Sequence, residues 1–143
     1  MLKNISPIIS PELLKVLAEM GHGDEIVIAD SNFPACSVNN RVIRADGISG
    51  VDMLKAVISL IPLDTYSDPN AMLMQLCDSD KDLPTPIWDE YKQILEESEG
   101  DAVKMGNIER FAFYERAKSA YAVIATGETA IYANLIIKKG VIK

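Results

Sequence analysis

The stretch Gly21-His22-Gly23-Asp24-Glu25-Ile26-Val27-Ile28-Ala29-Asp30-Ser31-Asn32-Phe33-Pro34 decides how this chain reads. It passes from a glycine that stops a helix, through a short apolar run, to an aspartate and a loop. Glu25 to Ala29 is rich in Ile and Val, which predicts a buried strand. The preceding segment reads as a helix. Ser10 is its cap, Pro11 its first residue and Glu12 an acid in its first turn, and Leu13, Leu14, Leu17 and Ala18 form one apolar stripe. His22 is the only histidine. Its ordinary pKa of about 6.5 lets it give and take protons near neutrality. Asp30 lies eight positions later at the strand's end, where it could converge on His22.

Alternation of helix and strand continues outward from this stretch. Asn39-Asn40 is a turn, and Arg41 to Arg44 a second short strand. Ser49-Gly50-Val51-Asp52 opens a helix containing Leu54, Val57, Ile58 and Ile61, closed by Pro62. Ala71 to Cys77 reads as another buried strand. Thr85-Pro86 starts a third helix, with Ile87, Tyr91, Ile94 and Leu95 on one face and acids on the other. Asn107 is placed to cap a fourth helix running to about Ala120. Tyr121 to Ala125 and Ile131 to Ile137 read as strands joined by Thr126-Gly127-Glu128-Thr129, as a hairpin or through a tight turn. The expectation is one small α/β domain over residues 1–143, a mixed β-sheet flanked by helices.

Composition narrows the function. A chain of 143 residues buries enough surface to need no disulfide or metal staple. No apolar run approaches the roughly 18 residues of a membrane span, and the first residues lack a signal-peptide core. Cys36 and Cys77 are expected as reduced thiols, and the protein as cytoplasmic. The net charge of -7 belongs to one segment: nine acids lie between Asp78 and Asp101 against Lys81 and Lys92, and the rest of the chain carries twelve of each sign. That segment reads as a solvated surface. No basic patch is present to meet nucleic-acid phosphates. One histidine and two distant cysteines do not supply a zinc site. Gly47-Ile48-Ser49-Gly50 lacks the context of a dinucleotide fingerprint. No metal, cofactor, nucleic-acid or membrane partner is expected.

The candidate functional residues each have a bland alternative. His22 is either a charge at a helix C-terminus or a proton donor in a turn that Gly21 and Gly23 open to a ligand. Asp30 is either a loop cap or a ligand group at a strand's carboxyl end. Asp24 and Glu25 read as solvated turn acids. Arg110 is an exposed helix charge or a planar fork toward hydroxyls. Phe111, Phe113 and Tyr114 read as core ahead of a sugar platform. In the last strand, alternation puts Tyr132 and Asn134 on one face. A phenol and an amide there suit a polyhydroxylated ligand.

The chain resembles the fucose mutarotase and ribose pyranase family over nearly its full length. The resemblance is carried by Ile8-Ile9-Ser10-Pro11-Glu12-Leu13-Leu14, Gly21-His22-Gly23-Asp24-Glu25, Asp30 with Phe33-Pro34, Arg44-Ala45-Asp46-Gly47, Arg110 to Ala117, and Thr126-Gly127-Glu128 through Tyr132-Ala133-Asn134 to Lys138-Lys139-Gly140. It implies an isomerase that interconverts the α and β anomers of a free sugar, without cofactor or metal. Its ribose branch also exchanges pyranose and furanose forms. By the same resemblance His22 matches the proton donor, and Asp30, Arg110, Tyr132, Ala133 and Asn134 match substrate-binding positions. The Asn-Phe-Pro loop and the Arg110 to Arg116 string are similar to the fucose branch, which points to L-fucose; Ala133 agrees with the ribose branch. A cytoplasmic ring-like homo-oligomer, a decamer, is also implied. The competing readings are a ribose pyranase and a non-catalytic monosaccharide-binding or transport-accessory protein, which would not need His22.

Overall fold

The computed structural model describes residues Met1–Lys143. Its elements are α1 (Pro11–Glu19), β1 (Glu25–Ala29), α2 (Ala35–Val38), β2 (Val42–Ala45), α3 (Gly50–Ile58), β3 (Ala71–Met74), α4 (Pro86–Glu99), β4 (Met105–Ile108), α5 (Arg110–Ser119), β5 (Ala122–Thr126) and β6 (Leu135–Lys138). Local chemistry explains the helix starts. The Leu13 N–H donates to Ser10 Oγ at 3.1 Å and the Asp52 N–H to Ser49 Oγ at 3.1 Å, so each serine satisfies a donor that the first helical turn leaves free. α5 is capped by Glu109, whose Oε2 accepts from the N–H groups of Phe111 and Ala112 at 2.9 and 3.0 Å.

Six strands form one sheet in the order β2-β5-β1-β6-β3-β4. β5 pairs in parallel with β1 and β2, and β3 pairs in parallel with β4. β6 runs antiparallel to both its neighbours, β1 and β3. The sheet is therefore mixed, as expected, with every strand but β6 pointing one way. Strand alternation divides the core. Ile26, Ile28, Ile124, Leu135 and Ile137 face a cluster of 26 buried residues, whereas Val27, Ala29, Val123 and Ile136 face one of 10. The larger face takes α1, α3 and α4, and the smaller takes α2 and α5. A sheet covered on both faces needs apolar residues at every position, which is why β1, β3 and β5 read as unbroken apolar runs.

Four expectations are corrected. β5 and β6 form neither a hairpin nor a tight turn, because β1 lies between them. The connecting segment is led out of the β5 line instead. Thr126 Oγ1 donates to the Ala29 carbonyl at 2.6 Å, and Glu128 accepts from the Gly50 and Ala130 N–H groups, both at 3.0 Å. β6 begins at Leu135, so Tyr132 and Asn134 precede the strand. Asn107 lies in β4, a half-exposed strand with no apolar period to announce it. Glu25 is no solvated acid; its two carboxylate oxygens take Arg116 Nε at 3.0 and 2.8 Å.

Gly50 lies beneath Tyr91, and a Cβ there would overlap the Tyr91 hydroxyl. That hydroxyl donates to the Ala133 carbonyl at 3.0 Å in the interior. Gly50→Ala is expected to cost about 1–3 kcal/mol by overpacking and to loosen residues 127–134. Urea denaturation reads the first effect, and amide hydrogen exchange at Ala133 and Asn134 the second.

Candidate active site

Topology gathers the predicted residues other than His22 at one end of the sheet. The carboxyl ends of β1, β3 and β4 lie there, together with the amino end of antiparallel β6. Asp30 follows β1, Arg110 opens the helix after β4, and Tyr132 and Asn134 lead into β6. All four line one cleft of about 330 Å³, together with Asn32, Phe33, Met74, Cys77, Tyr114 and Ile131. That volume is at the lower end for small-molecule sites. A crevice outside the carboxyl ends of strands is the general ligand position in open α/β sheets.

Asp30 is the keystone of the cleft. Its own N–H donates to Asn134 Oδ1 at 2.8 Å, and its carboxylate accepts from the Asn32 N–H at 3.0 Å and the Ala133 N–H at 3.3 Å. It thus ties the loop after β1 to the segment before β6. Burial raises its carboxyl above the ordinary aspartate range, and the hydrogen bonds from Asn32 and Ala133 offset this only in part. Asn134 Oδ1 is engaged by Asp30, which leaves the Asn134 amide NH₂ as a donor.

Tyr132 has φ +57°, a left-handed conformation unusual for a tyrosine. Helix α4 holds it there. Trp88 Nε1 donates to the Tyr132 carbonyl at 2.8 Å, and the Tyr91 hydroxyl donates to the next carbonyl, Ala133. Ala133 itself does not line the cleft. Its methyl is fully buried in the larger core cluster and only its backbone serves the site. It touches no ligand surface through its side chain, so alanine or glycine there says little about sugar choice. Arg110 is exposed at the rim, with Nε donating to the Tyr114 hydroxyl at 3.2 Å and its guanidinium 5.4 Å from the Tyr114 ring.

His22 is elsewhere, which corrects the expected convergence with Asp30. The two flank opposite ends of β1, separated by roughly 20 Å of extended chain. His22 Nε2 meets Asp64 Oδ1 at 2.9 Å instead, and the imidazole lies 5.4 Å from the Tyr66 ring. Asp64 is only 2% exposed. It also accepts from Ser67 Oγ at 2.6 Å and the Tyr66 N–H at 3.2 Å. An ionised carboxylate only accepts, so Nε2 carries the donated proton and Nδ1 is the nitrogen that gains and loses one. The His22 side chain is 48% exposed, which leaves it open to a reacting partner.

Burial pushes the Asp64 carboxyl up, but the hydrogen bonds from Ser67, His22 and Tyr66 prevail and hold it below the ordinary range. A depressed folded-state pKa means the unfolded chain binds the proton first as pH falls. The stabilisation is whole above the ordinary carboxylate pKa of about 3.9 and is lost on going below it. Asp64→Asn is therefore expected to flatten the acid limb of stability below about pH 4. Urea denaturation of both proteins across that range checks it.

Sequence reasoning missed Asp64, Tyr114 and Asp80. Asp64 follows a helix end and carries only a local signal, an acid two and three residues ahead of groups it accepts from. Tyr114 was assigned to the core. Phe113 is the core member, fully buried, whereas Phe111 is 66% exposed and Tyr114 lines the cleft. Asp80 was lost in the acidic run. Most of that run is exposed, on α4 and in the segments flanking it, but Glu99 accepts from the Leu63 N–H at 2.8 Å and Asp80 from the Tyr132 hydroxyl at 2.6 Å. Cys36 and Cys77 are unpaired.

Fold and cleft together define a small α/β protein with a compact, partly polar cleft at its strand ends. The sequence profile of the RbsD / FucU transport protein family matches residues 3–142, and the chain belongs to that family. It is 56% identical over 146 residues to a protein named fucose mutarotase from Danio rerio, an alignment covering 99% of this chain and 94% of that one. Among solved structures it matches FucU from Bifidobacterium longum, with a TM-score of 0.93, 54% identity and coverage of 99% and 100% of the two chains. It matches the fucose mutarotase of Streptococcus pneumoniae in complex with L-fucose equally well, with a TM-score of 0.93, 48% identity and coverage of 99% and 100%. No helix of the structure is long and apolar enough to cross a membrane.

Proposed function

We propose that this chain is an isomerase interconverting the α and β anomers of L-fucose. Asp30, Arg110, Tyr132 and Asn134 hold the sugar, Ala133 supports them through its backbone, and His22 is the acid. The observation that carries the reading is the convergence of those four side chains, drawn from three parts of the chain, on one cleft of monosaccharide size. The relatives of similar length named fucose mutarotase, and the one solved with L-fucose, support the choice of reaction and sugar.

Anomer exchange opens and recloses the pyranose ring. The acid protonates the ring oxygen O5 as the C1–O5 bond breaks. The anomeric hydroxyl gives its proton to a solvent water as C1=O forms. Rotation about C1 and reclosure on the other carbonyl face give the other anomer, and every proton returns. Acid-base assistance of this kind is worth about 10²–10⁴-fold. No covalent intermediate is needed.

His22 cannot reach its own chain's cleft, so this reading requires a neighbouring copy to deliver it. The two ends of the molecule suit each other. Tyr66, Val141 and Ile142 are exposed at or near the His22 end, Ile131 is exposed on the cleft wall, and Phe111 is exposed beside it, 6.4 Å from the Tyr114 ring. A contact joining unlike ends is heterologous and is closed by a ring. We infer a ring-like homo-oligomer, the decamer that the family resemblance suggests, with each sugar site shared by two subunits.

The test is saturation transfer between anomeric proton signals at equilibrium, with and without protein. L-Fucose is expected to exchange at least several-fold faster than D-ribose. A protein that binds L-fucose yet leaves its exchange at the spontaneous rate is a binding protein instead. A preference for D-ribose returns the chain to the pyranase branch.

A further inference from the structure

We propose that Asp80 is a positioning residue for this site: by accepting the Tyr132 phenol proton, it fixes Tyr132 as a hydrogen-bond acceptor toward the sugar. The inference rests on the reading that the cleft is the sugar site and goes beyond it by assigning a direction to one contact.

Tyr132 is held at three points. Trp88 Nε1 fixes its carbonyl at 2.8 Å, its hydroxyl donates to Asp80 Oδ2 at 2.6 Å, and the same oxygen faces the Cys77 N–H at 3.4 Å. A phenol has one proton and two acceptor sites. The proton is committed to Asp80 and one acceptor site to Cys77. What remains for the cleft is an acceptor, so the sugar hydroxyl that meets it must donate. Elsewhere in the cleft the Arg110 guanidinium and the Asn134 amide NH₂ bring donors. The Asp30 carboxylate brings an acceptor too, already shared with the Asn32 and Ala133 N–H groups, and a sugar hydroxyl that accepts from Arg110 or Asn134 has its own proton to give to Tyr132.

Asp80 suits this task. It ends a single 3₁₀ turn, Asp78–Asp80, whose backbone is anchored by the Asp80 N–H on the Cys77 carbonyl at 2.9 Å. It is half-buried, unlike most acids of its run. A carboxylate has no proton to return, so the Tyr132 hydroxyl has one orientation. The hydrogen bond to Asp80 also pushes the phenol well above its ordinary pKa, so Tyr132 stays protonated and its direction does not change with pH.

The direction can be read with L-fucose analogues in which each hydroxyl in turn, the anomeric one included, is replaced by fluorine. Fluorine accepts weakly and cannot donate. Affinities are measured by isothermal titration calorimetry. The wild-type protein is expected to reject the analogue fluorinated where the sugar faces Tyr132 by roughly ten- to a hundredfold, the worth of one such hydrogen bond. Asp80→Asn offers Tyr132 an NH₂ as well as an oxygen, so the phenol proton is no longer committed to one partner and is free to turn into the cleft. It should shrink that one discrimination at least about tenfold while leaving the other analogues in order. Tyr132→Phe should remove the same discrimination, and Asp80→Glu should retain it. If Asp80→Asn does not fold by circular dichroism, the Tyr132→Phe and Asp80→Glu pair decides. Unchanged discrimination in folded Asp80→Asn, or its loss in Asp80→Glu, overturns the proposal. Failure of the wild-type protein to bind L-fucose at all overturns the reading of the cleft instead.

Discussion

His22→Gln is expected to fold and assemble as the wild-type protein does, and to lose about 10²–10⁴-fold in anomer exchange, the usual contribution of a positioned acid. Glutamine keeps a polar group opposite Asp64 but cannot cycle a proton at neutral pH. His22 is 48% exposed on its side chain and packs into no core, so stability should scarcely change. The sharper result comes from mixing. A second variant, Tyr132→Phe, damages the cleft and leaves His22 intact. If every site takes His22 from one chain and the cleft from another, equal amounts of the two inactive variants, assembled together, restore about a quarter of the sites. Co-expression with two different tags, followed by tandem purification and exchange measurement, reads this directly. Activity that never rises above the two parents would mean that the acid and the cleft do not meet across a boundary.

Asp30 should give the second largest effect, and two substitutions separate its roles. Asp30→Ala removes the acceptor from the Asn32 and Ala133 N–H groups; the exposed Asn32 turns to water, whereas the Ala133 N–H is left without a partner in the interior. An unpaired buried donor costs about 1–3 kcal/mol, so a loss of that size in urea denaturation is expected, with sugar binding abolished. Asp30→Asn keeps the volume and one acceptor oxygen, but places an NH₂ where a second acceptor stood. It should keep most of the stability and lose sugar affinity by about tenfold or more. Equal losses in both variants, in stability and affinity alike, would reduce Asp30 to a structural brace.

Much of the scaffold was legible because its signals are local. Ser10-Pro11 and Ser49-Gly50 announce helix starts, and the Ile and Val runs announce strands buried on both faces. The order of those strands was not legible. Nothing near Thr126-Gly127-Glu128 says that β1 will insert between β5 and β6; that outcome rests on contacts such as Thr126 with Ala29, far apart in the chain. The cleft fared better than its partners. Asp30, Arg110, Tyr132 and Asn134 were marked by type and place, and the topology brings them together. Asp64 and Asp80 were not marked, since an acid in a turn or an acidic run looks like solvated charge until its long-range partner is known. The expected meeting of His22 and Asp30 failed for a geometric reason: a strand between two residues separates them by its own length.

Trp88 carries a practical consequence. It is the chain's single tryptophan, and its indole N–H is bonded to the backbone carbonyl of Tyr132, a residue that lines the cleft. The protein is thus born with one fluorophore wired to the segment that lines its cleft. Indole emission follows local polarity and hydrogen bonding, so arrival of a sugar is visible in the light of one residue, without dye, label or a coupled assay. Five tyrosines compete with it only weakly when excitation is set at the red edge. Titrating sugars into a cuvette therefore ranks ligands by occupancy alone, which catalysis-based measurements cannot do for a reaction whose substrate and product have the same composition.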